Sequence, residues 1–342
     1  MPVGAASDAL PLAGGRLAFT AARLWVRENA AARVASVVPV AELRRWCAAR
    51  HDDGDPRPGA VLDRLGEARP PFAGLDIANP RLMGIVNVTP DSFSDGGDQP
   101  DAAAAIAHGE RLLAEGADIV DVGGESTRPG ARPVSEVEER RRVLPVVEGL
   151  AAKGATVSID TRRAGVMRAA LAVGARVVND VTALTGDADS LAAVAESGAP
   201  VVLMHMAGEP GTMQDDPTYD DAVLDIYDAL EARIAACVAA GIARARIAID
   251  PGIGFGKSVR HNAELIARLT LFHGLGCALV LGASRKSFIA RLSRDEPPKA
   301  RLAGSLAAAL AGLERGAQIL RVHDVGESRQ ALSVWRALRD AC

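Results

Sequence analysis

Eight short apolar segments of the chain each end in side chains that could do chemistry. The polar residues that follow them are, in chain order, Asn87, Glu125, Asp160, Asn179, His205, Asp250, Lys286, and the pair Arg321 and His323. Aspartate, asparagine and serine are common at helix N-termini, where they cap the first backbone N–H groups. Cations are unfavourable there because that end of the helix dipole is positive. Capping therefore does not explain Lys286, Arg321 or His323, and the pattern predicts a cup that binds an anion.

The elements that carry these residues alternate between short β-branched segments and longer amphipathic ones. The pattern predicts strands at residues 82–88, 118–122, 156–159, 176–178, 200–204, 246–249, 278–281 and 318–322. Helical spacing predicts helices at 101–115, 135–152, 162–173, 219–240, 302–314 and 327–338. Eight strand–helix units over roughly 260 residues are typical of a TIM (β/α)8 barrel, an α/β fold whose active sites lie at the C-terminal strand ends. The competing architecture, a doubly wound open sheet, usually has fewer strands and a glycine-rich first turn.

Five Gly-Ala pairs come just before predicted strands, and they begin at Gly116, Gly154, Gly174, Gly198 and Gly316. A glycine between a helix and a strand is expected in the left-handed region, where it ends the helix. We therefore assign these glycines to connections at the bottom of the barrel and give them no chemistry.

Two regions follow from this division: an N-terminal extension, residues 1–80, and a barrel, residues 81–342. The extension has amphipathic stretches at 21–32, 40–49 and 61–65, which are interrupted near 52–56 and 69–71. It is expected either to pack on the barrel or to form a small appendage. Its function cannot be read from the sequence.

Composition excludes several classes of protein. The formal net charge of −4 gives no basic surplus for a phosphate backbone, and aromatic residues, at 3%, offer few stacking platforms. We therefore expect no nucleic-acid partner. The 4 cysteines form no CxxC or CxxH pair, which favours a reducing compartment. No apolar run reaches the ~18 residues that a membrane span needs, so the sequence predicts a cytoplasmic protein that is not in a membrane.

The segment from Gly252 to Ser258 resembles a phosphate-binding P-loop, but the match is incomplete. The P-loop pattern needs a glycine where Pro251 stands, and the pattern GxGxxG fails because Lys257 occupies its third glycine position. We therefore reject a nucleotide site in this segment.

Several motifs resemble the dihydropteroate synthases, a family of pterin-binding enzymes. The segments at 83–97 (MGIVNVTPDSFSDGG) and 123–130 (GGESTRPG) look like the two signatures of that family. The resemblance continues through residues 158–161, 179–180, 250–257, 284–287 and 321–324, so it covers about residues 81 to 340 in order. The sequence departs from the family in its first 80 residues and at Ala207, where the family usually has arginine.

The resemblance implies a transferase of folate biosynthesis that is a target of sulfonamides. In its reaction the amine of 4-aminobenzoate displaces diphosphate from (7,8-dihydropterin-6-yl)methyl diphosphate, with Mg²⁺ present. The partners are then small-molecule substrates, and a homodimer built on barrel helices is expected.

The resemblance also assigns roles to residues. Carboxylate and amide acceptors suit the guanidine-like edge of a pterin, and the residues implied there are Asn179 and Asp250. Asp160 would hold pterin ring nitrogens, and Lys286 would donate to ring acceptors. Arg321 and His323 would face the diphosphate, and Asn87 would contact magnesium. The loop residues Thr127, Arg128 and Pro129 would shape the aminobenzoate pocket, and Asp95 would meet the second loop. Four further substrate-binding positions are implied: Met204, Phe255, Gly282 and Ser287. The catalytic residues implied are Asp160, Lys286, Arg321 and Asp95.

Two other functions start from the same pterin cup. A corrinoid-class methyltransferase that uses methyltetrahydrofolate would need a cobalamin partner, and nothing in the sequence resembles a cobalamin-binding domain. A pterin-binding protein without catalysis would not need the diphosphate and metal positions that the sequence retains. We therefore expect the synthase, which an activity assay can test.

Overall fold

The computed structural model describes residues 8–28, 31–89, 102–126, 134–208, 213 and 217–341. Its largest element is a closed barrel of eight parallel strands. These strands are β5 (Arg81–Asn87), β6 (Ile119–Gly123), β7 (Val157–Asp160), β8 (Val177–Asp180), β9 (Val201–Met204), β10 (Ile247–Asp250), β11 (Ala278–Leu281) and β12 (Ile319–Val322). The barrel closes where β12 pairs with β5, with Ile319 opposite Arg81 and Val322 opposite Gly84. The predicted TIM barrel is therefore confirmed, and the open doubly wound sheet is excluded.

Helices surround the barrel and connect its strands. They are α3 (Ala102–Ala114), α4 (Glu136–Ala151), α5 (Ala164–Ala172), α6 (Ser190–Ser197), α7 (Ala222–Ala239), α8 (Val259–Ala267), α9 (Ser287–Leu292), α10 (Leu302–Leu313) and α11 (Val325–Asp340). Short 3-10 turns occur at Arg244–Arg246, Leu269–Leu275 and Pro298–Ala300. The helices pack their apolar faces on the outside of the barrel and form the larger core with the strands.

The glycines of the five Gly-Ala pairs have the conformation that the sequence predicts. Their φ angles are all positive, from 69° at Gly198 to 115° at Gly174. Glycine adopts this region without the steric cost that a Cβ would bring. Each pair therefore ends a helix and turns the chain into the next strand.

The N-terminal region contributes two layers of its own. It contains the strand pairs β1 (Leu10–Pro11) with β2 (Ala18–Phe19) and β3 (Ala21–Glu28) with β4 (Ala31–Pro39), followed by helices α1 (Val40–Asp52) and α2 (Arg57–Gly66). The described residues of the amphipathic stretch at 21–32 thus lie in β-structure, whereas the stretches at 40–49 and 61–65 lie in helices. Arg268 of the barrel stacks over the Trp25 ring at 3.8 Å, which joins the hairpin to the barrel.

The last part of this region closes the lower end of the barrel. Phe72 and Ile77 are only 1% and 2% exposed, and they pack against the inward-facing residues at the lower ends of the strands. Gln318 donates a hydrogen bond to the Ile77 carbonyl at 3.3 Å. Arg69 holds this segment against the barrel, because its guanidinium donates hydrogen bonds to the backbone carbonyls of Arg64, Glu67, His273 and Cys277. Burying a side chain such as Phe72 contributes roughly 1.5–3 kcal/mol, so this segment is part of the barrel.

Among the described residues, no helix combines the length and the apolar character that crossing a membrane requires. The cysteines at 47, 237 and 277 are buried and unpaired, and Cys342 lies outside the described residues.

Candidate active site

The centre of the site is an arginine held between two carboxylates. Arg321, on β12, donates from Nε to Asp121 Oδ2 and from Nη2 to Asp160 Oδ2, both at 2.6 Å. Asn179, on β8, donates to the same Asp121 oxygen at 3.0 Å. Four strands of the barrel therefore contribute to one hydrogen-bonded network, in which Asp160 is the last residue of its strand.

Asp121 is part of this network, although the sequence did not predict it as a site residue. It lies in the middle of β6 with its side chain fully buried, opposite Ser158 on β7. Its second oxygen, Oδ1, and the Ser158 hydroxyl are buried without a hydrogen-bond partner among the described residues. The sequence did contain a signal for Asp121, namely an aspartate within an apolar strand. Such a residue indicates a buried charge, and a buried charge needs a partner.

Burial and nearby charges shift the pKa of Asp160. Burial raises its pKa to about 7, with nearby Asp121 adding to the rise and the Arg321 cation opposing it. Burial lowers the pKa of Arg321, but its two carboxylate partners outweigh this, and the net shift is upward. Arg321 therefore stays charged beside two carboxylates, and the pKa of one of them, Asp160, is raised towards neutral.

Asp250, at the end of β10, forms a second acidic position across the barrel opening. Its Oδ1 accepts a hydrogen bond from the Gly252 N–H at 2.7 Å. Burial raises its pKa, whereas this hydrogen bond and the charges of Lys286 and Arg321 lower it. A Cβ on Gly282 would lie 3.3 Å from Asp250 Oδ2 and 3.8 Å from Arg321 Cβ, so Gly282 lies between the two charged groups.

The wall beside Asp250 combines a cation with an apolar surface. The Lys286 ammonium lies 3.8 Å from the centre of the Phe255 ring, a cation–π contact. Phe255 packs in a small cluster with Val181, Met204 and Met213. The predicted positions Met204, Phe255 and Lys286 are thus neighbours.

Three further predicted positions lie at the edge of this arrangement. His323 Nδ1 is 3.1 Å from the Ser284 hydroxyl, and Ser287 is the first residue of α9. Asn87 is the last residue of β5 and is half-buried. Asp180 has a local role, because its carboxylate accepts hydrogen bonds from Thr182 and Leu184 in the turn that follows.

The remaining predicted positions, Asp95, Thr127, Arg128 and Pro129, lie outside the described residues. The chain on either side of residues 127–133 is held by charge: Glu125 accepts hydrogen bonds from the Arg163 guanidinium and from the backbone N–H of Val134, both at 3.1 Å. Both ends of that segment are therefore tied to one carboxylate.

Comparisons with known proteins agree with the fold and identify the family. Residues 83–323 match the family model described as pterin binding enzyme. The dihydropteroate synthase of Escherichia coli (strain K12) is 47% identical over 268 residues, which covers 78% of this chain and 94% of the relative. A structure of the Xanthomonas albilineans dihydropteroate synthase with 4-aminobenzoic acid has a TM-score of 0.75 and 50% identity, over 80% of this chain and 99% of that one. A second structure of that enzyme, in complex with 7,8-dihydropteroate, has a TM-score of 0.71 and 48% identity, over 78% and 95% of the two chains.

The chain therefore belongs to the family of pterin binding enzymes. Within that family, the relatives it matches are dihydropteroate synthases, which are transferases.

Proposed function

We propose that this chain condenses (7,8-dihydropterin-6-yl)methyl diphosphate with 4-aminobenzoate to give 7,8-dihydropteroate and diphosphate, a step of folate biosynthesis. The observation that carries the proposal is the network of Arg321 with Asp121, Asp160 and Asn179 at the barrel opening. Relatives that are 47% identical over most of their length carry the name of this activity.

The reaction forms one C–N bond, breaks one C–O bond and releases one proton from the amine. Asn179 and Asp250 would accept hydrogen bonds from the guanidine-like edge of the pterin, and Lys286 would donate to its ring acceptors. Asp160, with a pKa of about 7, would hold a ring nitrogen and stabilise the positive charge that develops as the C–O bond breaks. Positioned charges of this kind usually contribute the largest part of catalysis.

The diphosphate leaves with its negative charge, so cations near it should speed the reaction. Arg321 uses Nε and Nη2 for the two carboxylates, which leaves its other nitrogen for a phosphate oxygen. His323 lies two residues further along the chain, beside Ser284. We propose that Arg321 both orders the carboxylates and faces the leaving group.

We propose that magnesium binds this site together with the substrate. Among the described residues, no group of three or more His, Cys, Asp or Glu side chains could hold a metal ion. Magnesium commonly binds through one or two protein oxygens plus substrate phosphates and waters. We propose that the Asn87 amide oxygen provides such a ligand, and that bound Mg²⁺ neutralises charge on the diphosphate.

We also propose a cytoplasmic homodimer. Val334 and Leu338 are 54% and 66% exposed and lie one turn apart on α11, which is an apolar stripe that a second copy would cover. The buried, unpaired cysteines among the described residues suit a reducing compartment.

The test is incubation of the purified chain with both substrates and Mg²⁺, followed by separate measurement of dihydropteroate and free diphosphate. We expect the two products in equal amounts, and much less of both when a chelator replaces the metal. Tight pterin binding with neither product formed would instead identify a pterin-binding protein without catalysis.

A further inference from the structure

The segment that resembles a P-loop contains a lysine buried beneath the pterin site. Lys257 is only 3% exposed. Its ammonium lies 2.8 Å from the Phe255 carbonyl oxygen, 3.3 Å from the His205 carbonyl oxygen and 3.1 Å from His205 Nδ1. These three acceptors account for the three donors of an ammonium group. The lysine therefore does not reach out to a phosphate as a P-loop lysine does.

These acceptors belong to two different turns, one after β9 and one after β10, and the turns touch along their backbones. A Cβ on Gly252 would lie 1.9 Å from the His205 carbonyl oxygen, and one on Gly256 would lie 2.5 Å from the Ala207 carbonyl oxygen. Both glycines have positive φ angles, 72° and 63°. The glycines that imitate a nucleotide motif therefore allow this close approach, and Lys257 joins the two turns.

The turns joined in this way carry groups that the proposed function assigns to pterin binding. The Phe255 carbonyl that Lys257 binds belongs to the residue whose ring lies under the Lys286 ammonium. Asp250 begins the same turn, and its backbone oxygen accepts a hydrogen bond from the His205 N–H at 3.0 Å. A shift of either turn would therefore move the carboxylate and the aromatic wall together.

We propose that Lys257 is a positioning residue for the pterin site, which ties the turn after β9 to the turn after β10. This proposal rests on the proposed function, because it assigns Asp250 and Lys286 to pterin binding.

The surrounding charges predict a pH signature. Burial raises the pKa of Asp250, and the cations that lower it are Lys286, Arg321 and Lys257. Burial lowers the pKa of Lys257 to about 7, with Asp250 opposing this and Lys286 adding to it. His205 contributes no charge, since burial and Lys257 lower its pKa to about 3. Removing Lys257 should therefore raise the pKa of Asp250 and move the acidic limit of pterin binding to higher pH.

The experiment compares Lys257→Met with Lys299→Met, a matched change at an exposed lysine. The probe is 6-hydroxymethylpterin, which has no phosphates, and its Kd is measured by calorimetry from about pH 5.5 to about pH 8.5. We expect Lys257→Met to weaken binding about tenfold near pH 7, equivalent to about 1.4 kcal/mol, and more strongly at the acidic end. Lys299→Met should change neither the Kd nor its pH profile.

Lys257→Gln gives a second variant, which keeps a neutral donor for the Phe255 carbonyl but loses the charge. Its acidic limit of pterin binding should move to higher pH by the same amount as in Lys257→Met. Its loss of affinity at the alkaline end of the pH range should be smaller. A Kd within twofold of wild type and an unchanged pH profile in either folded variant would overturn the proposal. Failure of both variants to fold would also overturn it, because Lys257 would then serve the fold and not the site. If wild type itself does not bind the pterin, the proposed function fails and not this inference alone.

Discussion

Replacing Arg321 with methionine tests the charge network at the centre of the site. Methionine keeps much of the aliphatic stem but leaves Asp121, which is fully buried, and Asp160 without their cation. At an N–O distance of 2.6 Å, each pair attracts by about 6 kcal/mol at an effective dielectric constant of about 20. Desolvation offsets much of this, and removing one partner of a buried pair typically costs about 3–5 kcal/mol. We expect a loss of that size in the free energy of unfolding.

The loss should also depend on pH. Burial raises the pKa of Asp160 in the folded chain to about 7 from its ordinary value of 3.8. Between these two values the folded state binds a proton that the unfolded state does not, so stability falls as pH rises through the window. Arg321 lowers the pKa of Asp160, so removing the arginine extends this pH range to higher values. The difference between variant and wild type should therefore grow from about pH 6 to about pH 8.

Urea unfolding at several pH values, followed by circular dichroism, measures both effects. The control is Arg260→Met, which breaks an i,i+4 pair with Glu264 in which the arginine is 85% exposed and which should cost about 0.5 kcal/mol or less. If Arg321→Met lost no more free energy of unfolding than this control, and if that loss did not depend on pH, the network would not be the buried electrostatic centre of the site.

Three other experiments test separate features of the chain. Asn179→Ala removes a hydrogen-bond donor to Asp121 and a proposed pterin contact. Pterin binding should therefore disappear in calorimetry, while the unfolding transition stays cooperative. Unchanged affinity would contradict the assignment of Asn179 to the pterin site. Gly252→Ala should destabilise the fold by several kcal/mol because its Cβ would meet the His205 carbonyl oxygen at 1.9 Å. The control is Gly154→Ala, where no atom lies within 4 Å of the added Cβ. It should lose only the cost of holding an alanine in the left-handed backbone region, about 1–2 kcal/mol. Sulfonamides should compete with 4-aminobenzoate in steady-state kinetics, and a non-competitive pattern would count against a shared pocket.

The barrel could be predicted from sequence because each strand is covered on both faces. Such strands give short continuous β-branched runs, and glycines before them and polar residues after them mark both ends. The strand predicted at 200–204, for example, is Val201–Met204 in the structure. The predicted strand ends differ from the observed ones by no more than two residues.

The contacts within the site depend on closure of the barrel, which local sequence does not record. Asp121 and Arg321 are 200 positions apart and meet only because β12 pairs with β5. The sequence was also silent on the burial of Lys257: the nucleotide motif was rejected as incomplete, but only the structure shows the ammonium buried among carbonyl oxygens. Burial and partner choice are tertiary properties, so they require the fold.

The way the lower end of the barrel is sealed determines where this chain can be shortened. A polypeptide that begins at residue 81 keeps every barrel strand, yet it lacks Phe72, Ile77 and the arginine at 69 that anchors them. The apolar floor formed by Met83, Ile119 and their neighbours would then face water. A minimal enzyme must therefore start upstream of Arg69, and a fusion partner is better attached before that residue than at the first strand.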